Sequence, residues 1–252
     1  LYVVDSGHHR VLECTHAGRI HRQFGSGGAG FIDGPMELAA FQNPQGLWLQ
    51  RDALYVADNG NHAVRRIQRS TGDVDTLCGA GRAGTPVALD QPRAVAVSPS
   101  NLVCIATAGD NRVWAYDLGD RSIRLLAGSG RMELADGEGP AASFAGPSAL
   151  AIVQQILYVC DEAGSAIRSV HLRTRQVTTL VGQGAWQFGN VEGSRADALL
   201  QQPQAISLDG ASPVLWIADS GNDQLRTLRL GGGEVSTISL PQRLHAPAGL
   251  AV

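Results

Sequence analysis

Short apolar runs that end on an acidic or polar residue recur five times along the 252 residues. They read Leu1-Tyr-Val-Val-Asp5, Leu54-Tyr-Val-Ala-Asp58, Val103-Cys-Ile-Ala-Thr107, Leu157-Tyr-Val-Cys-Asp161 and Leu215-Trp-Ile-Ala-Asp219. The anchors at 5, 58, 107, 161 and 219 are 53, 49, 54 and 58 residues apart. A second element keeps the same beat: Pro44-Gln-Gly-Leu, Pro92-Arg-Ala-Val, Pro147-Ser-Ala-Leu, Pro203-Gln-Ala-Ile and Pro247-Ala-Gly-Leu. Each of the first four prolines lies 14 to 16 residues before the next anchor. Self-similarity at this period marks a repeat architecture, so each motif has to be read against the repeat before it is read as chemistry.

Residues 44–81 serve as the type unit. Four runs rich in β-branched and aromatic residues, Leu47–Leu49, Leu54–Ala57, Val64–Ile67 and Val74–Leu77, are separated by turn formers. Gaps of three to five residues admit only antiparallel hairpins, because a parallel crossover needs a dozen or more. No segment of ten residues carries a capped 3.6-residue apolar period, although Met36–Phe41 has room for one helical turn. The pattern predicts an all-β chain: a β-propeller of four-stranded antiparallel blades, with five repeat units in one domain over 1–252. The second strand of each unit should be covered on both faces, which buries Val3, Val56, Ile105, Val159 and Ile217. Extra residues fall between one unit and the next, as in Asp33–Phe41, Asp136–Phe144, Glu192–Leu200 and the shorter Ala83–Asp90. These read as insertions on one rim, where repeat proteins carry binding surfaces. Residues 247–252 match the first strand of a unit and Leu1 matches the second. The expectation is that 247–252 complete the first blade of a five-bladed ring, against a fragment of a six-bladed one.

The succession Pro-x-Gly-Leu, Leu-Tyr-Val-Ala-Asp-Asn-x-Asn-His-x-Val-Arg-x-Ile and Val-x-Thr-Leu-x-Gly, best matched by residues 44–79, resembles NHL repeats over nearly the whole chain. The acidic-Gly…Ala-x-Phe linkers resemble those of NHL-repeat proteins in which the propeller follows a thioredoxin-like domain. That resemblance implies a preceding domain in the parent chain. Thr107 and Asn111, in place of Asp and His, make the third unit degenerate.

Composition removes several function classes. Net charge is −3, so no global basic field draws in nucleic acid or anionic membrane. All 20 basic residues are arginine, which excludes lysine-based covalent catalysis in this segment. No apolar run approaches the length of a membrane-spanning helix, and a soluble, cytoplasmic setting is the expectation. Cys14, Cys78, Cys104 and Cys160 show no Cys-x-x-Cys spacing and read as buried thiols rather than metal, disulfide or redox groups.

The remaining chemical-looking motifs each have a structural alternative. Gly25–Gly30 and Gly79–Gly84 spell G-x-G-x-x-G. The same phase recurs at Gly128 and Gly182, which points to strand exits needing positive φ rather than to a dinucleotide. Asp5, Asp58, Asp161 and Asp219 suit an Asx-type closure of their own turns; the alternative is a carboxylate ring that holds Ca²⁺. His9 and His62 share one repeat position, occupied elsewhere by Asn111, Ser165 and Asp223. That favours a polar turn over a zinc site. Arg65, Arg66, Arg112, Arg168 and Arg226 recur at the third strand, either solvated or paired within the blade, or lining a face for acidic peptide or RNA. The reading is a non-catalytic binding or scaffold propeller without cofactor, whose partner is a protein or peptide, not nucleic acid or membrane. Candidate contact residues on the loop face are His9, Asp58, Asn61, His62, Arg65, Asp161, Asp219 and Arg226. The alternatives are a metal-dependent lyase or lactonase-like hydrolase acting in a central channel, and a domain that presents substrate to a fused thioredoxin-like domain.

Overall fold

The computed structural model describes residues 1–79, 87–184, 187–209 and 212–251. These form five antiparallel sheets. The first contains β1 (Tyr2–Asp5), β2 (Arg10–Cys14) and β3 (Ile20–Phe24) in that order. The second orders β4 (Pro44–Gln50), β5 (Ala53–Asp58), β6 (Ala63–Gln68) and β7 (Val74–Gly79). The third repeats the meander with β8 (Pro92–Val97), β9 (Leu102–Thr107), β10 (Arg112–Asp117) and β11 (Ile123–Ala127). In the fourth, the two-residue strand β12 (Gly137–Glu138) is followed by β13 (Pro147–Val153), β14 (Ile156–Asp161), β15 (Ala166–His171) and β16 (Gln176–Val181). In the fifth, β17 (Gly193–Ser194) precedes β18 (Ala205–Leu208), β19 (Val214–Asp219), β20 (Gln224–Arg229) and β21 (Glu234–Thr237). Here β12 and β17 add to the outer strands β16 and β21.

The prolines open β4, β8 and β13, and the ladder register shifts just after each of them. A residue without an N–H cannot continue the ladder, so the shift falls there. Two compact units are present, Leu1–Gly109 with Ala115–Arg124, and Asp110–Trp114 with Leu125–Val252. In the first, Val11, Phe24, Leu54, Val56, Ile67 and Val74 form a dry core into which the linker places Ala39 and Phe41. In the second, Cys160, Ile167, Leu215, Ile217 and Leu228 do the same with linker residues Ala198 and Leu200.

The linkers read as rim insertions are therefore also built into the fold. Gly34 bridges Val74, Gly137 pairs with Val177 and Gly193 pairs with Val235, so each of these three linkers covers the open edge of the sheet it precedes. The expected helical turn is present, since the N–H groups of Leu38 and Ala39 both donate to Pro35 O. The linker residues 80–86, and with them Gly84 of the second glycine motif, lie outside the described residues.

Val56, Ile105, Val159 and Ile217 are fully buried as expected. Val3 is 40% exposed, which corrects the fifth member of that set. It lies on β1, the outer strand of its sheet, where no proline-led strand covers it. Residues 247–251 form no strand either, contrary to expectation. The other proline-led strands pair with the strand that follows them.

Candidate functional site

The recurring polar residues converge on the turn after the second strand. Asp58, Asp161 and Asp219 end β5, β14 and β19 with no exposed surface. They do not close their own turns in Asx fashion, which corrects that reading. One carboxylate oxygen accepts an N–H from the upstream linker, from Gln42 at 2.8 Å, Ala145 at 2.7 Å and Gln201 at 2.7 Å. The other oxygen meets an arginine seven residues downstream: Arg65 at 2.8 Å, Arg168 at 3.2 Å and Arg226 at 3.4 Å. Asn61 and Asn222 donate to the same oxygen of Asp58 and Asp219, each at 2.8 Å. Burial pushes all three carboxyls up, against the pull of these donors, and Asp161 reaches about 7.

The three arginines are also fully buried rather than solvated. Arg65 donates to Ala40 O, Ile32 O and Asp33 as well as Asp58, and lies 5.0 Å from the Phe31 and Phe41 ring centres. Arg168 repeats this with Ser143 O, Ala135 O and Asp136, over Phe144. Arg226 donates to Val191 O and to Asn190 Oδ1. Asp33 and Asp136 in turn accept from the N–H and hydroxyl of Thr76 and Thr179 on the outer strands. One buried cation thus ties strand end, linker and outer strand together. Four acceptors around the two terminal nitrogens of each guanidinium offset most of its desolvation, which a lone ion pair would not, and leave the buried Nε of Arg65, Arg168 and Arg226 without an acceptor among the described residues. The third repeat carries Thr107 and Trp114 at these two positions, so both charges are lost together. In the first repeat Leu12 replaces the arginine, and Asp5 binds Arg10 and His8 instead, each at 2.8 Å.

Four residues past each anchor the backbone turns left-handed, at His9, His62, Asn111, Ser165 and Asp223, with φ of 54°, 53°, 52°, 49° and 57°. Each of these side chains accepts the N–H of the residue preceding the next proline. The pairs are His9 Nδ1 with Asn43 (3.0 Å), His62 Nδ1 with Gln91 (3.3 Å), Asn111 with Gly146 (3.0 Å), Ser165 with Gln202 (3.2 Å) and Asp223 with Ala246 (2.9 Å). The donors have positive φ as well, from 42° to 78°. Three of the proline carbonyls are held by the residue after the anchor: Ser6 to Pro44, Asn59 to Pro92 and Ser220 to Pro247. The shared requirement at the left-handed position is a short polar acceptor. That is why His, Asn, Ser and Asp interchange there, Asn and Asp tolerating αL best.

Of the candidate contact residues, then, Asp58, Arg65, Asp161, Asp219 and Arg226 lie inside the fold with their charges satisfied. Only His9, Asn61 and His62 reach the surface, each half-buried. Among the described residues no group of three or more His, Cys, Asp or Glu is placed to hold a metal ion. Cys78, Cys104 and Cys160 are buried thiols, and burial pushes the Cys104 thiol up to about 12. The linkers expose large apolar side chains at neighbouring repeat positions: Phe31, Ile32 and Leu38, then Met132 at 64% exposure, then Phe188 at 51% and Val191. The sequence signals for the linker contacts were the paired loss of Asp and Arg in the third repeat and the recurring acidic-Gly.

No known family profile matches the chain. Among solved structures, a catalytically inactive virginiamycin B lyase from Staphylococcus aureus, crystallised with quinupristin, covers 96% of this chain and 66% of its own at TM-score 0.63 and 12% identity. A protein of unknown function from Bacteroides thetaiotaomicron covers 88% of this chain and 67% of its own, at TM-score 0.52 and 18% identity. These likenesses and the repeated antiparallel sheets define the class: the chain is a β-propeller.

The curated relatives specify which kind. NHL repeat-containing protein 2 of Gallus gallus is 31% identical over 302 residues, covering all of this chain and 42% of the relative. Its Bos taurus counterpart is 30% identical, over 90% of this chain and 36% of the relative. Protein SUPPRESSOR OF QUENCHING 1, chloroplastic, of Arabidopsis thaliana is 32% identical over all of this chain and 27% of its own length. The chain is an NHL-repeat β-propeller, and it spans less than half the length of these relatives.

Proposed function

We propose that this propeller is a non-catalytic binding module of a longer protein, with the exposed face of its linkers as the contact surface for a protein or peptide. One observation carries the reading. The recurring polar residues are spent on the fold's own bonds, whereas the linkers hold Phe31, Ile32, Met132, Phe188 and Val191 outward from a rigidly tied backbone. Exposed apolar side chains on a fixed scaffold are the usual material of protein interfaces. Both histidines that share a repeat position already accept a backbone N–H, which weighs against a lyase- or hydrolase-like role for them. The test is a pull-down of interacting proteins with the wild type and with a variant carrying Ile32→Ser, Met132→Ser and Phe188→Ser. The expected result is loss of partners at unchanged thermal stability. Equal recovery by both proteins would sink the linker face as the contact surface, and stoichiometric zinc or calcium retained through dialysis would favour the enzymatic alternative.

A further inference from the structure

We infer that the first repeat junction, held by His9, is an acid-labile latch, while the junctions held by Asn111, Ser165 and Asp223 are not. The argument is independent of what the propeller binds. An imidazole can accept the N–H of Asn43 or Gln91 at Nδ1 only if its proton sits on Nε2. Protonation puts a second N–H on Nδ1, facing the amide N–H at 3.0 Å or 3.3 Å, and turns an attraction into a donor–donor clash. Histidine is the side chain whose ordinary titration falls near neutral pH. Asn111 and Ser165 make the same bond with groups that do not titrate there. Asp223 makes it as a carboxylate that the Ala246 N–H holds below its usual range, so that latch survives until stronger acid.

The two histidines differ in what awaits the charged ring. Around His9 the charged groups are Asp5, His8 and Arg10 of its own turn, already bonded to one another, and residues 42–44 bring none. His62 has the buried Asp58–Arg65 pair in its own hairpin. In residues 87–91, packed against it, it has Leu89 O at 3.1 Å from Nδ1 and Asp90 at 3.8 Å. At His62 an N–H on Nδ1 already has Leu89 O within reach as its acceptor, so protonation there costs little; at His9 the Asn43 amide is freed with no substitute bond for the ring.

Amide hydrogen exchange resolved by residue tests this, with protection measured relative to unstructured amides at each pH. Between about pH 8 and about pH 5, the range histidine titration spans, protection at Asn43 is expected to fall about fivefold or more, the worth of one neutral hydrogen bond. Protection at Gly146 and Gln202 should hold. His9→Asn should keep Asn43 protected at both pH values, and Asn111→His should transfer the acid sensitivity to Gly146. The last variant decides the matter even if His9→Asn fails to fold. Equal wild-type protection of Asn43 at the two pH values, or an Asn111→His protein in which Gly146 stays protected in acid, would overturn the inference.

Discussion

Asp161 and Arg168 show how much a single repeat position carries. Both are fully buried, and neither charge reaches water. Removing one partner strands the other in a medium that solvates it poorly. Arg168→Met alone should therefore cost about 3–5 kcal/mol in chemical denaturation. The paired change Asp161→Val with Arg168→Met should cost much less than the sum of the two single changes, because no charge is left behind. The third repeat, with Thr107 and Trp114, already lives without the pair. Asp161 also sets a pH dependence. Its carboxyl is raised to about 7 by burial, well above its value in an unfolded chain. The native state then binds more protons than the unfolded state across the interval between the two values, so stability is greatest on the acid side and falls as pH rises through the folded value. Asp161→Asn, which cannot ionise, should flatten that slope between about pH 4 and pH 8; an unchanged slope would mean that the pair stays ionised throughout.

At the scale of the element, the glycine that leaves four of the five outer strands decides whether linker and blade can join. Gly79 has φ of 107°, and a Cβ there would stand 2.3 Å from His62 O, the carbonyl of the left-handed turn residue on the neighbouring strand. Gly25, Gly128 and Gly182 face the equivalent carbonyls of His9, Asn111 and Ser165. Gly79→Ala should lower stability by about 1–3 kcal/mol, whereas Gly231→Ala, with open space around it, should stay within about 0.5 kcal/mol of wild type. Thermal unfolding of the two variants reads the difference. The strands themselves were legible from their two-residue period and turn formers, down to the prolines that open β4, β8 and β13. The role of the linkers was not. Asp33 and Phe41 are 32 and 24 residues before Arg65 in the chain, and nothing local announces that they enclose its guanidinium.

For the molecule as a whole, the repeat does two different jobs with two sets of residues. Buried Asp–Arg pairs and turn acceptors recur because each sheet must be tied to its linker and to the proline that opens the next repeat. The exposed linker side chains vary from Ala29 to Met132 to Phe188 at one position, freed from that demand. That division is why a contact-surface variant should lose its partner and keep its fold. The sequence alone determined the period, the antiparallel strands, the positive-φ glycines and the kinship to NHL repeats, because hydrophobic alternation and turn chemistry are local and recur in phase. Only the tertiary structure decided that the conspicuous aspartates and arginines are interior and the histidines are acceptors. Burial and hydrogen-bond partners depend on segments far apart in the chain, and a charged residue looks the same in sequence whether it meets solvent or a buried counter-charge.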